Sequence, residues 1–238
     1  MIAFWNSLRD VVAANMFTGL LLTLGGYFLG AFLQRKRRLV IFNPLLISIV
    51  VIIVGLKLFR IDYSTYRSQT SGLSYLLTPT TICLAIPLFR QFELVKKNWR
   101  AIMASISAGV ACNVALVWLV ARIFDMNYSE YVTFLTKSIT TAIGAGLTEE
   151  LGGSTPIACA TIALSGIVGN ALGDRVLRAL RILDPLAQGL GIGVASHGIG
   201  TARSLELGET QGAFSGLAIA LTGILTVVVA PFAALLPL

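Results

Sequence analysis

Residues 188–202 read Q-G-L-G-I-G-V-A-S-H-G-I-G-T-A, with five glycines and the only histidine of the chain. Glycine is a poor helix former and allows close backbone approach. The sequence around this stretch is apolar, so the irregular backbone it implies would lie at membrane depth. Inside a bilayer such backbone is tolerated only where protein buries it or a water-filled cavity solvates it. The stretch therefore predicts a broken segment inside a membrane protein, with His197 at the opening.

Composition supports the membrane assignment. Hydrophobic residues make up 56% of the 238 residues, charged residues only 12%, and the mean hydropathy is +0.84. A soluble domain carries about 25% charged residues. The charges cluster and leave apolar runs between them, each near the ~20 residues that a spanning helix needs. The net charge of +7 is then an orientation signal of membrane loops rather than a nucleic-acid footprint. Cys83, Cys112 and Cys159 lie in apolar stretches without paired spacing, and neither a metal site nor a cofactor is expected. Gly189, Gly191 and Gly193 lack the flanking strand of a dinucleotide loop. Adjacent Ser196 and His197 make a poor nucleophile–base pair. No enzyme is expected.

The spans read as Met16–Leu33, Val40–Phe59, Leu73–Phe89, Ala101–Ile123, Thr155–Leu172 and Gly212–Leu235. Gly26-x-x-x-Gly30 in the first is a weak helix-packing signal. Basic clusters at Arg35–Arg38, Arg90–Arg100 and Arg175–Arg181 belong on the cytoplasmic side. That bookkeeping leaves Asp125 outside and requires an odd number of crossings between Tyr131 and Asp174. Val132–Leu151 and Thr155–Leu172 both lie there, so the polar, glycine-broken Val132–Leu151 is read as re-entrant from outside. Gln188–Leu207 then dips in from the cytoplasm. I-A-L-S-G-I (Ile162–Ile167) recurs 57 residues later as I-A-L-T-G-I (Ile219–Ile224). The expected fold is an all-α integral membrane protein with about six spanning helices and two opposed re-entrant segments in an inverted repeat. A bundle of eight spanning helices is the alternative. Residues 1–124 form an N-terminal four-helix region, and residues 125–238 carry the site with repeats 132–173 and 188–236.

Opposed broken helices aim half-helix N-termini at anions. The donors available are Lys137, Ser138, Thr140 and Thr141 in the first segment, and Ser196, His197, Thr201 and Arg203 in the second. Together they suit a small carboxylate. An unperturbed imidazole titrates near neutral pH, so His197, with Glu206, is the candidate for proton coupling.

K-S-I-T-T (Lys137–Thr141), G-G-S-T-P (Gly152–Pro156) and above all A-S-H-G-I-G-T-A-R (Ala195–Arg203) make the chain resemble the LrgB/CidB family of bacterial membrane proteins. The last motif continues as E-L-G-E-T-Q-G-A-F-S-G-L-A (Glu206–Ala218), and N-P-L-L (Asn43–Leu46) also fits. The resemblance covers nearly the whole chain as one LrgB-like domain and implies a multi-pass protein of the bacterial plasma membrane. It implies two functions. One is secondary transport of small monocarboxylates of the glycolate/glycerate, pyruvate or acetate type, as in the similar half of the plastid glycolate/glycerate translocator. The other is a holin/antiholin-like regulator of murein hydrolase export and autolysis, with a small LrgA/CidA-like membrane partner. The site chemistry favors transport. A homo-oligomer is expected, and no nucleic acid.

Overall fold

The computed structural model describes residues 15, 17–37, 42–76, 79, 82–83 and 85–237. It is an all-α membrane protein. Among the described residues four helices are long and apolar enough to cross a bilayer, and Pro44–Phe59 is a shorter apolar helix. The chain forms two compact units, Met1–Cys83 and Leu84–Leu238. The division falls well before Asp125.

The first unit contains α1 (Phe17–Arg37), α2 (Pro44–Phe59), α3 (Tyr63–Gln69) and α4 (Ser71–Tyr75). Pro44 opens α2 where its missing N–H costs nothing, and Asn43 caps it by accepting from Leu45 N at 2.9 Å. The Gly26-x-x-x-Gly30 pair is where α1 approaches α2. A Cβ at Gly30 would lie 2.6 Å from Pro44 Cα, and one at Gly26 would lie 3.1 Å from Ser48 Cα. The expected span Leu73–Phe89 is represented by the short helices Ser71–Tyr75 and Ala85–Arg90, and part of it lies outside the described residues.

The second unit contains α5 (Ala85–Arg90), α6 (Phe92–Ile123), α7 (Tyr128–Leu135), α8 (Thr141–Glu150), α9 (Thr155–Ala179), α10 (Pro185–Leu207) and α11 (Glu209–Ala233). At 1.5 Å per residue the 32 residues of α6 extend about 48 Å. A hydrocarbon core is about 30 Å thick, so the first turns of α6, with Lys96, Lys97 and Arg100, project beyond it.

The segment after α6 is a hairpin. α7 opens with a capping box in which Glu130 N donates to Asn127 Oδ1 and Asn127 N donates to Glu130 Oε2. α7 has 8 residues and α8 has 10, so each reaches roughly 12–15 Å, half a bilayer. Ser129 Oγ donates to Gly152 O at 3.0 Å, and Thr136 Oγ1 lies 2.8 Å from Thr148 Oγ1. The entry and the exit of the hairpin are therefore side by side. This segment enters and returns; it does not cross.

α10 also turns back, although its hydrogen-bonding pattern reads as one helix. His197 breaks it at φ 41°, ψ −137°. Before the break α10 runs antiparallel to α9: Gly191 faces Leu177, Gly173 faces Ile192 and Gly169 faces Ser196. After the break it retraces the same helix in the other direction. Asn170 reaches Ile199 O, and Asp174 meets Arg203. The two arms touch where Gly200 packs on Ile192 and Ser196. α11 then runs alongside the first arm, with Gln188 facing Gln211 and Gly193 facing Ser215. It is thus antiparallel to α9.

The second unit is therefore two copies of one design, a hairpin followed by a 25-residue helix, in opposite orientations. An offset of 57 carries Thr141, the first residue of α8, onto Gly198, the first after the break. The ends of the unit differ in charge. Arg90 pairs with Glu209 at 3.2 Å, which gathers the starts of α6 and α11 with Arg175, Arg178 and Arg181 at one end. The opposite end holds Arg122, Asp125, Glu130, Glu149 and Glu150, closed by Tyr131 donating to Ala233 O and Trp118 to Pro237 O. Single cysteines at Asp125 and Arg178 are expected to react with an impermeant thiol reagent from opposite faces of the membrane, Arg178 from the cytoplasm. Labeling of both from one face would contradict this arrangement.

Candidate functional site

The two hairpin tips converge on the middle of α9. His197 Nε2 lies 2.9 Å from Ile162 O. A carbonyl only accepts, so Nε2 carries the proton. On the same residue, a Cβ at Gly144 of α8 would lie 2.6 Å from Ile162 Cδ1. Ile162 is fully buried and touches both tips. α11 contributes the matching contact, since a Cβ at Gly223 would lie 2.8 Å from Ile143 Cδ1.

Each tip frees backbone groups that helices would otherwise satisfy, and polar side chains of the spanning helices and of the hairpin itself take them up. At the first tip Asn113 of α6 donates to Leu135 O at 3.0 Å and accepts from Ser138 Oγ at 3.1 Å. Turn bonds from Lys137 N to Phe134 O and from Ile139 N to Thr136 O close the rest. At the second tip Ser165 donates to Ala195 O, Asn170 to Ile199 O and Thr201 Oγ1 to His197 O. His197 sits at positive φ, where a non-glycine residue costs about 1–3 kcal/mol. Its ring bond to α9 fixes the break in place.

The residues singled out from the sequence fall into three places. Lys137 and Ser138 line a cavity of about 390 Å³. It is walled by Ser105, Cys112, Asn113 and Leu116 of α6 and by Leu190 and Val194 on the first arm of α10. Ser196, His197 and Thr201 are buried in the interior. Ser196 packs against Gly169, and Thr201 Oγ1 lies 2.7 Å from Ser215 Oγ. Arg203 and Glu206 belong to an ion network at the basic end. Arg203 Nη2 donates to Asp174 Oδ2 at 2.9 Å, Arg203 Nη1 to Glu206 Oε2 at 2.7 Å, and Arg178 Nη2 to Asp174 Oδ2 at 2.7 Å. Thr140 caps α8 through its backbone without a side-chain bond, and Thr141 begins that helix. The structure brings Lys137 to Ser138 and Arg203 to Glu206; it does not gather all eight donors around one space.

Asn113, Ser165, Asn170 and Asp174 are what reading the sequence missed. Their signal is polarity inside an apolar span, which is costly and seldom idle. Asp174, with a side chain 7% exposed, also carries the i, i+4 spacing to Arg178 that marks a helical ion pair.

A family model for the LrgB-like family matches residues 23–236. The chain belongs to the LrgB-like family. It is 37% identical over 229 residues to the holin-like protein CidB of Staphylococcus aureus strain N315, covering 96% of this chain and 99% of that one. It is 32% identical over 214 residues to the antiholin-like protein LrgB of Bacillus subtilis strain 168, covering 90% and 93%. The LrgB protein of Bacillus mycoides strain KBAB4 gives the same identity and coverage. No solved structure matches.

These relatives correct the functional expectation. The preferred reading, a secondary transporter of small monocarboxylates, is overturned by relatives named holin-like and antiholin-like, which point to the alternative. The misreading has a physical source. In the sequence alone, hydroxyl and imidazole donors in glycine-rich segments resemble groups that face a substrate. His197 and Thr201 instead bond α9 and α11, and Arg203 is neutralized by two carboxylates.

Proposed function

We propose that the chain is a holin/antiholin-like regulator of murein hydrolase export and autolysis in the bacterial plasma membrane. The observation that carries this reading is the end-to-end similarity to holin-like CidB, at 37% identity over 96% of the chain. The fold suits such a role. Two half-depth hairpins meet inside the membrane, so the barrier there rests on side-chain contacts across Ile162 rather than on continuous helices. The role is non-enzymatic. A small LrgA/CidA-like membrane protein is the proposed partner, and assembly into a homo-oligomer accompanies it.

The test is deletion of the gene in its own host, with detergent-induced autolysis followed by turbidity and secreted murein hydrolase followed by zymography. Higher identity to CidB than to LrgB makes a promoting role the expected sign, so deletion should slow autolysis and a plasmid copy restore it. Faster autolysis on deletion would make the chain antiholin-like. Unchanged autolysis and unchanged hydrolase profile would overturn the reading.

A further inference from the structure

The cavity between α6, the first hairpin tip and the first arm of α10 has an unusual charge environment. Lys137 is the cation on its wall, and none of the ion pairs among the described residues includes it. Its ammonium has three donors, of which Ser138 Oγ takes one at 3.3 Å. An ionizable group at membrane depth without a counter-charge is costly and marks a functional site by default. Away from this polar corner the wall is mainly aliphatic, with Leu116, Leu190 and Val194 beside Ser105 and Cys112. The space of about 390 Å³ is open on the side where Cys112 and Leu116 are exposed, and at about 30 Å³ for each water-sized atom it takes on the order of a dozen heavy atoms. A small hydrated anion would leave most of that wall without a partner. A neutral chain would leave the ammonium without one.

We infer that this cavity binds an amphipathic monoanion, a single carboxylate on an unbranched chain of about ten carbons, with the headgroup on Lys137 and Ser138. The tail lies along Leu116, Leu190 and Val194. Since the site joins the first hairpin tip to the first arm of α10, an occupant bridges the two halves of the repeat. This inference stands apart from the proposed role in autolysis and does not depend on it.

Cys112 on the same wall supplies the readout. A variant with Cys83→Ser and Cys159→Ala leaves Cys112 as the one thiol. It would be placed in nanodiscs, and its alkylation by N-ethylmaleimide timed with sodium decanoate, decanol or sodium acetate. Decanoate is expected to slow the reaction by about tenfold at saturation, the ratio that corresponds to about 1.4 kcal/mol of protection. Decanol at matched membrane concentration and acetate at the same bulk concentration should have no such effect. Lys137→Met should abolish protection and Lys137→Arg retain it, with both variants checked for unchanged size-exclusion profile. Equal protection by decanol would reduce the effect to partitioning and overturn the inference. Equal protection by acetate, or unaltered protection in Lys137→Met, would overturn it as well. A thiol at position 83 alone, in a Cys112→Ser, Cys159→Ala variant, should alkylate at one rate under all conditions; slowing there by decanoate would also overturn the assignment.

Discussion

Gly193→Val should strongly destabilize the second unit. A Cβ at Gly193 would lie 2.5 Å from Ser215 O and 2.9 Å from Ser215 Cα, and both are backbone atoms of α11 that cannot swing aside. Gly189, one turn earlier, meets Gln211 O at 2.5 Å in the same way. The two glycines form a groove into which α11 settles, and a valine there forces the helices apart. Overpacking typically costs about 1–3 kcal/mol and occasionally more; with rigid backbone as the obstacle the upper end is expected. That is a large share of the roughly 5–15 kcal/mol by which native proteins are stable. The same hairpin supplies its own controls. A Cβ at Gly191 would meet only Leu177 Cδ2 at 3.7 Å, and one at Gly198 would meet nothing within 4 Å. Gly191→Ala and Gly198→Ala should therefore be neutral or slightly stabilizing, since alanine restricts the unfolded chain. Yield and thermal aggregation temperature in nanodiscs separate the cases. If Gly193→Val behaves like Gly198→Ala, the first arm does not lie against α11.

Those glycines also show what a one-dimensional reading can deliver. The pairing of broken segments with long apolar helices was legible because glycine spacing and hydropathy are local properties. Thr155–Ala179 and Glu209–Ala233 follow from their apolar runs, and the return of Val132–Leu151 follows from counting basic clusters. The partners of the polar side chains were not legible. His197 in a glycine ladder looks like an open site, and only the position of Ile162, 35 residues earlier, reveals a buried structural bond. The helix α6 starts at Phe92, earlier than the expected Ala101; in sequence Lys96, Lys97 and Arg100 resemble a loop. They stand on a helix that outruns the hydrocarbon, where Lys96 and Arg100 also lie over the rings of Phe92 and Trp99. Asn113 and Asp174 are not legible in the sequence because each is a single polar residue whose meaning depends on an element distant in sequence.

Asp174 carries the other large expected effect. It is the carboxylate through which the return arm of α10 is tied to α9, accepting from Arg203 at 2.9 Å and from its own-helix neighbor Arg178 at 2.7 Å. The contacts differ in weight. The Arg178 side chain is 57% exposed and water screens it, so that half of the network contributes little. Arg203 is 33% exposed and sits against a buried acid, so that half dominates. Removing one partner of a buried pair typically costs about 3–5 kcal/mol because a charge is left uncompensated. Here Glu206 still accepts from Arg203 at 2.7 Å, which lowers the expectation for Asp174→Ala to about 2–3 kcal/mol. Asp174→Asn keeps an acceptor and should cost less. The decisive variant is Asp174→Ala combined with Arg203→Ala. With no orphaned cation, it should be more stable than Asp174→Ala alone, giving a favorable coupling of about 1 kcal/mol or more in a double-mutant cycle. Hydrogen exchange gives the spatial check: in Asp174→Ala, amides of Gly198–Leu207 should lose protection while those of α6 keep theirs. Strict additivity of the two substitutions, or uniform loss of protection across both helices, would show that the arm is held by its packing on Ile192 and Ser215 and not by this acid.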